Sequence, residues 1–313
     1  MKRLAIVVPC YNEEESLLDT NVQLEALLSG LKKKKKVSTT SYILYVDDGS
    51  NDTTWSLIEK LAKKSSSVKG LKLASNSGHQ NAVFAGLMYA KDNADVTVSI
   101  DADLQDDVNA INEMVDKYLK GVDIVYGVRN DRTSDSFFKR FTAEAFYTII
   151  GSKESVYNAA DFRLMSKNVL EELALYGDYH LYLRGIAPKL GFTQDYVFYS
   201  RKQREKGESK YSFSKMMKLA IDGLTSSNGS PLFNLFPFSF ILFLIAFILL
   251  IKIIITSVQI GELPFTFTLL FVVILFGGIL FFSLAILGQY IGRTFIQAKN
   301  RPRYVVEKTI GKK

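Results

Sequence analysis

Short apolar runs alternate with longer mixed segments over the first 126 residues of the chain. The runs are rich in β-branched and apolar residues, which predicts strands, and the segments between them have the length of helices. Strict alternation of the two predicts an α/β fold with a mostly parallel sheet and helices on both faces. The predicted strands are 4–8, 42–46, 68–73, 96–100 and 123–126, and the predicted helices lie near 13–30, 53–63, 79–91 and 108–119.

Two long stretches near the C-terminal end contain no charged residue. They cover residues 223–251 and 263–292, and each exceeds the roughly 20 apolar residues that a helix needs to cross a bilayer. We therefore predict a transmembrane hairpin with spans at about 232–256 and 265–290. Basic residues crowd both outer ends of this hairpin, whereas its connecting segment has Glu262 and no Lys or Arg. The positive-inside rule then places both ends in the cytoplasm.

The segment before the first span has the pattern of a surface helix. Its apolar residues fall at helical spacing, which predicts an interfacial amphipathic helix, with a helix that faces a protein core as the alternative. The predicted organisation is an α/β domain at 1–210, this interfacial helix at 211–228, the hairpin at 229–292 and a basic cytoplasmic tail at 293–313. The apolar residues at helical spacing in this interfacial helix are Phe213, Met216, Met217, Ala220 and Leu224.

Composition narrows the class of protein further. The chain has 313 residues and a formal net charge of +7. This basic excess fits binding to phosphate groups or to a membrane surface, and ordinary solvation is the alternative. The N-terminal apolar run before Pro9 is too short for a signal peptide, so we expect the leading domain to stay in the cytoplasm. Cys10 is the single cysteine, which excludes an intrachain disulfide and fits a reducing compartment.

Polar clusters follow three of the predicted strands, at residues 11–13, 47–50 and 101–103. Ligands of parallel α/β sheets bind at the carboxyl ends of strands. Asp101 and Asp103 suit a hard divalent cation that bridges the oxygens of a diphosphate. Tyr11 offers a ring face on which a nucleotide base can stack. Glu13 and Asp48 can accept hydrogen bonds from the base or from the ribose. Each cluster alone is also explained as a turn or a helix cap, but together they predict a nucleotide–metal site.

The motifs that contain these residues resemble those of family 2 glycosyltransferases, which have the GT-A fold. More narrowly, the chain resembles bacterial polyprenyl-phosphate (bactoprenol) glucosyltransferases, and dolichol-phosphate mannose synthases are related. The resemblance implies a GT-A domain at 1–210 and extends over the hairpin and the tail. The motifs are VPCYNEEE (8–15), VDDGSNDTT (46–54), NSGHQNAVFAGL (76–87), DADLQD (101–106), YGVRNDR (126–132), ADFRLMS (160–166), RKQREKGESKY (201–211) and QYIGRTFIQAKNRPRYVV (289–306).

The resemblance also implies a role for individual residues. Asp161 matches the proposed catalytic aspartate of the family, and Asp103 is expected to act with it. Contacts to the donor nucleotide are implied for Pro9, Tyr11, Glu13, Asp48 and Asp101. Binding of Mg²⁺ or Mn²⁺ is implied for Asp101, Asp103 and Gln105, and binding of the acceptor phosphate for Arg129, Arg140 and Arg204.

Two segments depart from the family pattern. Asp107, Val108 and Asn109 stand where two prolines and a glutamate are common, and Ser75 and Ser77 replace a common arginine and a common aromatic residue. The first difference affects the rigidity of a loop, and the second affects donor contacts. His79, at the start of a predicted helix, is equally compatible with a structural role and with a donor contact.

The resemblance implies metal-dependent, inverting transfer of a hexose to undecaprenyl phosphate, for glycosylation of the cell envelope. Glucose from UDP-glucose is the preferred donor, and UDP-N-acetylglucosamine, UDP-galactose, UDP-aminopentose and GDP-mannose stay open. A phosphate monoester is mostly a dianion at neutral pH, so Asp161 is expected to orient groups rather than to remove a proton. The expected location is the bacterial inner membrane, as a multi-pass protein without nucleic-acid partners, and tetramers are known among similar enzymes.

Three other functions fit the sequence less well. A processive polysaccharide synthase would carry a Gln-x-x-Arg-Trp motif, but the only tryptophan is Trp55. The two predicted spans contain almost no polar residues, so they could not line the pathway of a transporter by themselves. A catalytically inactive membrane scaffold stays open, although the intact acidic clusters argue against it.

Overall fold

The computed structural model describes residues 1–129, 159–177, 183–200, 247–248, 250–255, 257–258 and 265–311. Eight strands alternate with helices along these residues. The strands are β1 Leu4–Cys10, β2 Tyr42–Asp47, β3 Val68–Leu73, β4 Val96–Ser99, β5 Ile124–Arg129, β6 Ala159–Ser166, β7 Gln194–Tyr199 and β8 Val306–Ile310. The helices are α1 Leu17–Lys33, α2 Thr54–Lys64, α3 His79–Lys91, α4 Ala110–Leu119, α5 Lys167–Ala174, α6 Leu183–Ile186 and α7 Phe265–Ala298, with a 3₁₀ turn at Ala187–Leu190.

All eight strands form one sheet in the order β7-β5-β6-β4-β1-β2-β3-β8. Strands β4, β1, β2 and β3 are parallel to their neighbours in this block, and β5 is parallel to β7. Strand β6 lies antiparallel between β4 and β5, and β8 lies antiparallel beside β3. The α/β class and the mostly parallel sheet that the sequence predicts are confirmed, together with the five strands predicted before residue 127.

Helices cover both faces of the sheet, and its central strands are buried. Every residue of β1 and β2 is buried. Helices α1, α2 and α4 contribute to the core on one face, and α3, α5 and α6 contribute to the core on the other. Helix α3 approaches the sheet closely at Gly86, where a Cβ atom would collide with the side chains of Val7 and Val46. This contact fixes the position of α3 and of the residues at its N-terminal end.

The C-terminal part of the chain contributes a helix and a strand. Within the described residues, one helical stretch, Leu275–Ala298 of α7, is long and apolar enough to cross a membrane, with a mean hydropathy of 1.8. Residues 250–255 are helical, but most of the first predicted span and the interfacial helix lie outside the described residues. The tail after α7 was predicted as a separate basic segment. Its residues 306–310 instead form the edge strand β8 of the sheet.

Candidate active site

The loops that follow β1 and β2 are joined by hydrogen bonds at the carboxyl edge of the sheet. The backbone N–H of Asn12 donates to Oγ of Ser50 over 3.0 Å, and the N–H of Asn51 donates to Oδ1 of Asn12 over 2.9 Å. Asn12 has a φ of +54°, a conformation that asparagine tolerates better than most residues. The turn leaves the neighbouring Tyr11 exposed, with 37% of its surface accessible. Its ring is thus available for stacking.

Two of the predicted nucleotide contacts shape these loops themselves. The carboxylate of Asp48 accepts the N–H groups of Ser77 and Gly78 over 2.7 and 3.0 Å. Burial raises the pKa of Asp48, and the two backbone donors counteract part of that shift. Glu13 accepts a hydrogen bond from the Ser16 hydroxyl over 2.8 Å. The structure therefore gives Asp48 and Glu13 a role in loop geometry, and their contact with a nucleotide stays a prediction.

The Asp101–Asp103 turn directly follows β4. Oδ1 of Asp103 accepts the N–H of Gln105 over 3.2 Å, and Thr20 of α1 donates its hydroxyl to the carbonyl of Ala102 over 2.7 Å. Among the residues that the structure describes, no group of three or more His, Cys, Asp or Glu side chains could hold a metal ion. The protein ligands of a cation at this turn would thus have to be completed by other oxygens.

Carboxylates crowd Asp101. Its pKa is raised to about 6, first because burial penalises the charged form and then because Asp161, Asp106 and Asp103 repel it, while His79 opposes the shift. The carboxyl lies among many protein atoms, yet 38% of the side chain stays exposed. A ligand can therefore reach it.

Asp161 lies on β6 and is held by a buried ion pair. Nη2 of Arg163 lies 2.9 Å from its Oδ1, and the two side chains are only 2% and 9% exposed. The Ser99 hydroxyl of β4 donates to the backbone carbonyl of Asp161 over 2.6 Å. Arg163 is itself fixed by a 3.1 Å bond from Nη1 to the carbonyl of Leu183. The predicted catalytic carboxylate is thus part of the folded core rather than of a surface loop.

The first turn of α3 connects the carboxylates of Asp101 and Asp161. Nε2 of His79 lies 3.6 Å from Oδ1 of Asp101 and 3.5 Å from Oδ2 of Asp161. Gln80 donates from its amide nitrogen to the same Oδ2 over 3.4 Å. Because Asp101 follows a parallel strand and Asp161 lies near the start of an antiparallel one, both carboxylates come to the same edge of the sheet.

Arg129, the predicted acceptor-phosphate ligand at the end of β5, is engaged by two other side chains. Its Nη2 lies 3.3 Å from Oδ1 of Asp106, and its Nε donates to the Tyr199 hydroxyl over 3.3 Å. Tyr199 donates in turn to Oδ1 of Asp106 over 2.5 Å. The side chain of Arg129 keeps 27% of its surface exposed. Arg140 and Arg204 lie outside the described residues.

The fold and this site agree with a comparison against known protein families. Residues 5–191 match the model of "Glycosyl transferase family 2". The chain belongs to glycosyltransferase family 2. It is an enzyme of the glycosyltransferase class, as the motifs indicate.

Curated relatives match this glycosyltransferase over nearly its whole length. It is 43% identical to the uncharacterized glycosyltransferase YkoT of Bacillus subtilis (strain 168), over 97% of this chain and 91% of that one. It is 35% identical to a prophage bactoprenol glucosyl transferase homolog of Escherichia coli (strain K12), over 98% and 99% of the two chains. The same identity relates it to the SfII prophage-derived bactoprenol glucosyl transferase of Shigella flexneri, over 98% of each.

Several residues at the site of this glycosyltransferase were not singled out from the sequence. Arg163 interrupts an otherwise apolar strand, and a charge within such a strand indicates a buried partner. Gln80, Asp106 and Tyr199 carry no comparable local pattern, because their partners are distant in the chain. Pro9, a predicted nucleotide contact, lies in β1 opposite Val46, and its contact with a nucleotide stays a prediction.

Proposed function

We propose that this enzyme transfers a hexose from a nucleoside diphosphate sugar to a polyprenyl phosphate at the inner face of the bacterial cytoplasmic membrane. Glucose from UDP-glucose is the proposed donor, because relatives that match nearly end to end are named bactoprenol glucosyl transferases. The structural observation that carries the proposal is the cluster of carboxylates around Asp101 at the carboxyl edge of the sheet. Such a cluster suits a bound cation and the diphosphate that accompanies it.

The residues present fit a divalent cation such as Mg²⁺ or Mn²⁺ that the donor helps to hold. Mg²⁺ is commonly bound by one or two carboxylates together with substrate phosphates and water, rather than by a complete set of protein ligands. Asp101 and Asp103 would supply the carboxylates, and Gln105 a further oxygen. The raised pKa of Asp101 supports this assignment, because a nearby positive charge would offset both the burial and the repulsion by other carboxylates that raise it. When bound, the ion would stabilise the negative charge that develops on the departing diphosphate.

The side chains of the enzyme would carry out the remaining tasks. Tyr11 would stack on the base, since its ring is exposed beside the loops that Asn12 joins. Arg129, with Arg140 and Arg204, would bind the acceptor phosphate, because a guanidinium pairs with phosphate in a fixed geometry. Asp161 would orient the groups around the reacting sugar. Its ion pair with Arg163 supports this role over proton removal, since the carboxylate is already engaged.

Helix α7 supports a membrane location. Its most apolar stretch is not buried inside the protein, and large apolar side chains are exposed along it. In water such a surface would be unfavourable, whereas in lipid it needs no cover. We propose that α7 is the second span of a transmembrane hairpin and that residues 1–210 form the cytoplasmic catalytic domain. The exposed side chains include Val273, Leu280, Phe282, Leu284 and Ile291.

Substitution of Asp103 tests the proposed function. We expect Asp103→Asn to lower transfer about 100-fold or more, because a neutral amide holds a divalent cation far more weakly than a carboxylate. The measurement is formation of glycosylated polyprenyl phosphate by the purified enzyme with saturating Mn²⁺, with circular dichroism as a check of folding.

Asp107→Asn is the matched control. Asp107 lies four residues further along the same loop, where its carboxylate accepts the N–H of Asn109 over 3.0 Å, a bond that an amide oxygen also accepts. Its transfer rate should stay close to that of the wild type. Full activity of Asp103→Asn, or of the wild type in excess chelator, would contradict the proposal.

A further inference from the structure

The first turn of α3 presents to Asp161 two polar side chains that have no place in the proposed mechanism. His79 and Gln80 both face Oδ2 of Asp161, at 3.5 and 3.4 Å, whereas Arg163 holds the other oxygen. His79 reaches Asp101 with the same nitrogen. One imidazole therefore lies between a carboxylate assigned to the donor and the cation and one assigned to the reacting sugar.

We propose that His79 is a positioning residue of the transfer reaction, which holds Asp161 at a fixed distance from the cation site at Asp101. Gln80 assists it from the next position of the helix. The inference rests on the proposed function, because that function defines the roles of Asp101 and Asp161. It assigns to His79 a role toward two protein carboxylates rather than toward the donor sugar or its nucleotide.

Nε2 of His79 attracts the two carboxylates only if this nitrogen carries a proton. Nε2 faces an oxygen of each carboxylate, and a ring nitrogen that presents a lone pair would be repelled by both. The geometry thus assigns the proton to Nε2, where it is directed toward both oxygens. A neutral amide N–H at the same place would preserve this attraction. The role therefore requires a donor at the Nε2 position rather than an imidazole as such.

The backbone under His79 is fixed from three directions. Gly78, immediately before it, has a φ of +90°, and Asp48 binds the N–H groups of Ser77 and Gly78. Farther along the helix, Gly86 lies against the sheet. Gln80 is held in turn, because its Oε1 accepts the N–H of Leu183. A side chain on so constrained a turn has a preset position, as positioning requires.

The side chain of His79 is too exposed to contribute mainly through packing in the core. Its side chain is 44% exposed, whereas Asp161, which it contacts, is 9% exposed. Truncating a half-exposed side chain removes little packing energy, so a large effect on catalysis without loss of stability would come from the contacts to the two carboxylates.

Kinetics of two substitutions test the inference. We expect His79→Leu to lower kcat about 10-fold or more, because the attraction between the Nε2–H group and the two carboxylates is lost. His79→Gln, whose amide nitrogen takes the place of Nε2, should keep kcat within about threefold of the wild type. The Kd of the nucleoside diphosphate and that of Mn²⁺ should change by less than about threefold in both variants. Lys91→Gln, at the other end of the same helix, is the control and should match the wild type.

Two kinetic outcomes would overturn the inference. Wild-type kcat in His79→Leu would show that positioning does not depend on this side chain. Loss of nucleotide or Mn²⁺ affinity with unchanged kcat would make His79 a donor-binding residue. Thermal unfolding of each variant shows whether a lowered kcat accompanies a lowered stability. If the two variants are equally stable and only His79→Gln keeps the wild-type kcat, loss of stability is excluded as the cause.

Nuclear magnetic resonance tests the contact without any turnover. The chain has two histidines, so ¹⁵N-histidine labelling gives two sets of imidazole signals, and the set absent from His79→Gln belongs to His79. We expect Asp161→Asn to shift these signals in metal-free protein and Mn²⁺ to broaden them in the wild type. If the wild type transfers no sugar, the proposed function fails, but the spectra still decide the contact. His79 signals that respond neither to Asp161→Asn nor to Mn²⁺ would overturn the inference.

Discussion

Single residues at the edge of the sheet act against the stability of the ligand-free fold. Asp101 has a raised pKa because burial and three other carboxylates disfavour its charged form. The sequence predicted Asp101 and Asp103, since both follow an apolar strand at the edge where ligands bind. It did not predict that Asp161 and His79 meet Asp101, because these residues come together only through the packing of α3 and β6. Local patterns contain no information of that kind.

Asp101→Asn should stabilise the metal-free protein at pH 7.5. The folded-state pKa of about 6 lies above the ordinary 3.8, so the loss of stability caused by ionisation begins above about pH 4, grows up to about pH 6 and is constant at higher pH. With a discount for the exposure of the side chain, the gain is about 1 kcal/mol at pH 7.5. Urea unfolding at pH 7.5 and at pH 4 measures it.

The pH dependence makes this prediction specific. The gain should nearly disappear at pH 4, where Asp101 is protonated in the folded chain and only about half ionised in the unfolded chain. Asp92→Asn, at a side chain that is 72% exposed, is the control and should change the free energy of unfolding by less than about 0.5 kcal/mol. A loss of stability in Asp101→Asn at pH 7.5 would contradict the assignment.

Whole elements differ in how well the sequence predicts them. Strands β1 to β5 were predicted because each is a short apolar run in regular alternation with helices. Strand β6 was not, since it is antiparallel and carries Arg163 within its apolar run. Strand β8 was not predicted either, because Glu307 and Lys308 give this edge strand the composition of a solvated tail. They form ion pairs with Lys72 and Glu59, which no local pattern in the tail predicts.

Ile310→Ala should loosen the attachment of β8. Gly70 leaves room for Ile310 and Ile58 to close over the sheet, since a Cβ atom at Gly70 would lie 2.8 Å from one and 2.7 Å from the other. Truncation of this partly buried side chain should lower the free energy of unfolding by about 1–2 kcal/mol. The measurement is chemical denaturation. Val305→Ala, at a side chain that is 57% exposed, should have less than half that effect, and equal losses would argue against specific packing of β8.

In the whole molecule, a short connection joins the long apolar helix α7 to strand β8 of the sheet. Only residues 299–305 separate α7 from β8, and this connection is held at the end of α5. Gln297 donates to the carbonyl of Gly177 over 2.9 Å, and Arg303 donates to the carbonyl of Tyr176. If α7 crosses the membrane, as we propose, the sheet stays close to the surface where a lipid phosphate lies. The sequence predicted both parts but not this connection.

Cysteine labelling tests the proposed topology. Cys10 is 1% exposed and burial raises the pKa of its thiol, so the native cysteine should react slowly and give little background. Because the proposed orientation puts the connection between the two spans outside the cell, Ser257→Cys should react in intact cells with a reagent that does not cross the membrane. Ser226→Cys should react only after the cells are opened. The reverse pattern would contradict the proposed orientation.

Mass spectrometry of the lipid product shows whether the enzyme transfers a hexose to undecaprenyl phosphate. The purified enzyme would be incubated with undecaprenyl phosphate, Mn²⁺ and an equimolar mixture of UDP-glucose, UDP-galactose, UDP-N-acetylglucosamine and GDP-mannose, alongside Asp103→Asn. We expect a lipid whose mass increases by one hexose in the wild-type reaction and unmodified lipid in the variant, with UDP-glucose as the nucleotide sugar consumed. Unmodified undecaprenyl phosphate in the wild-type reaction, with every donor intact or merely hydrolysed, would contradict the proposed function.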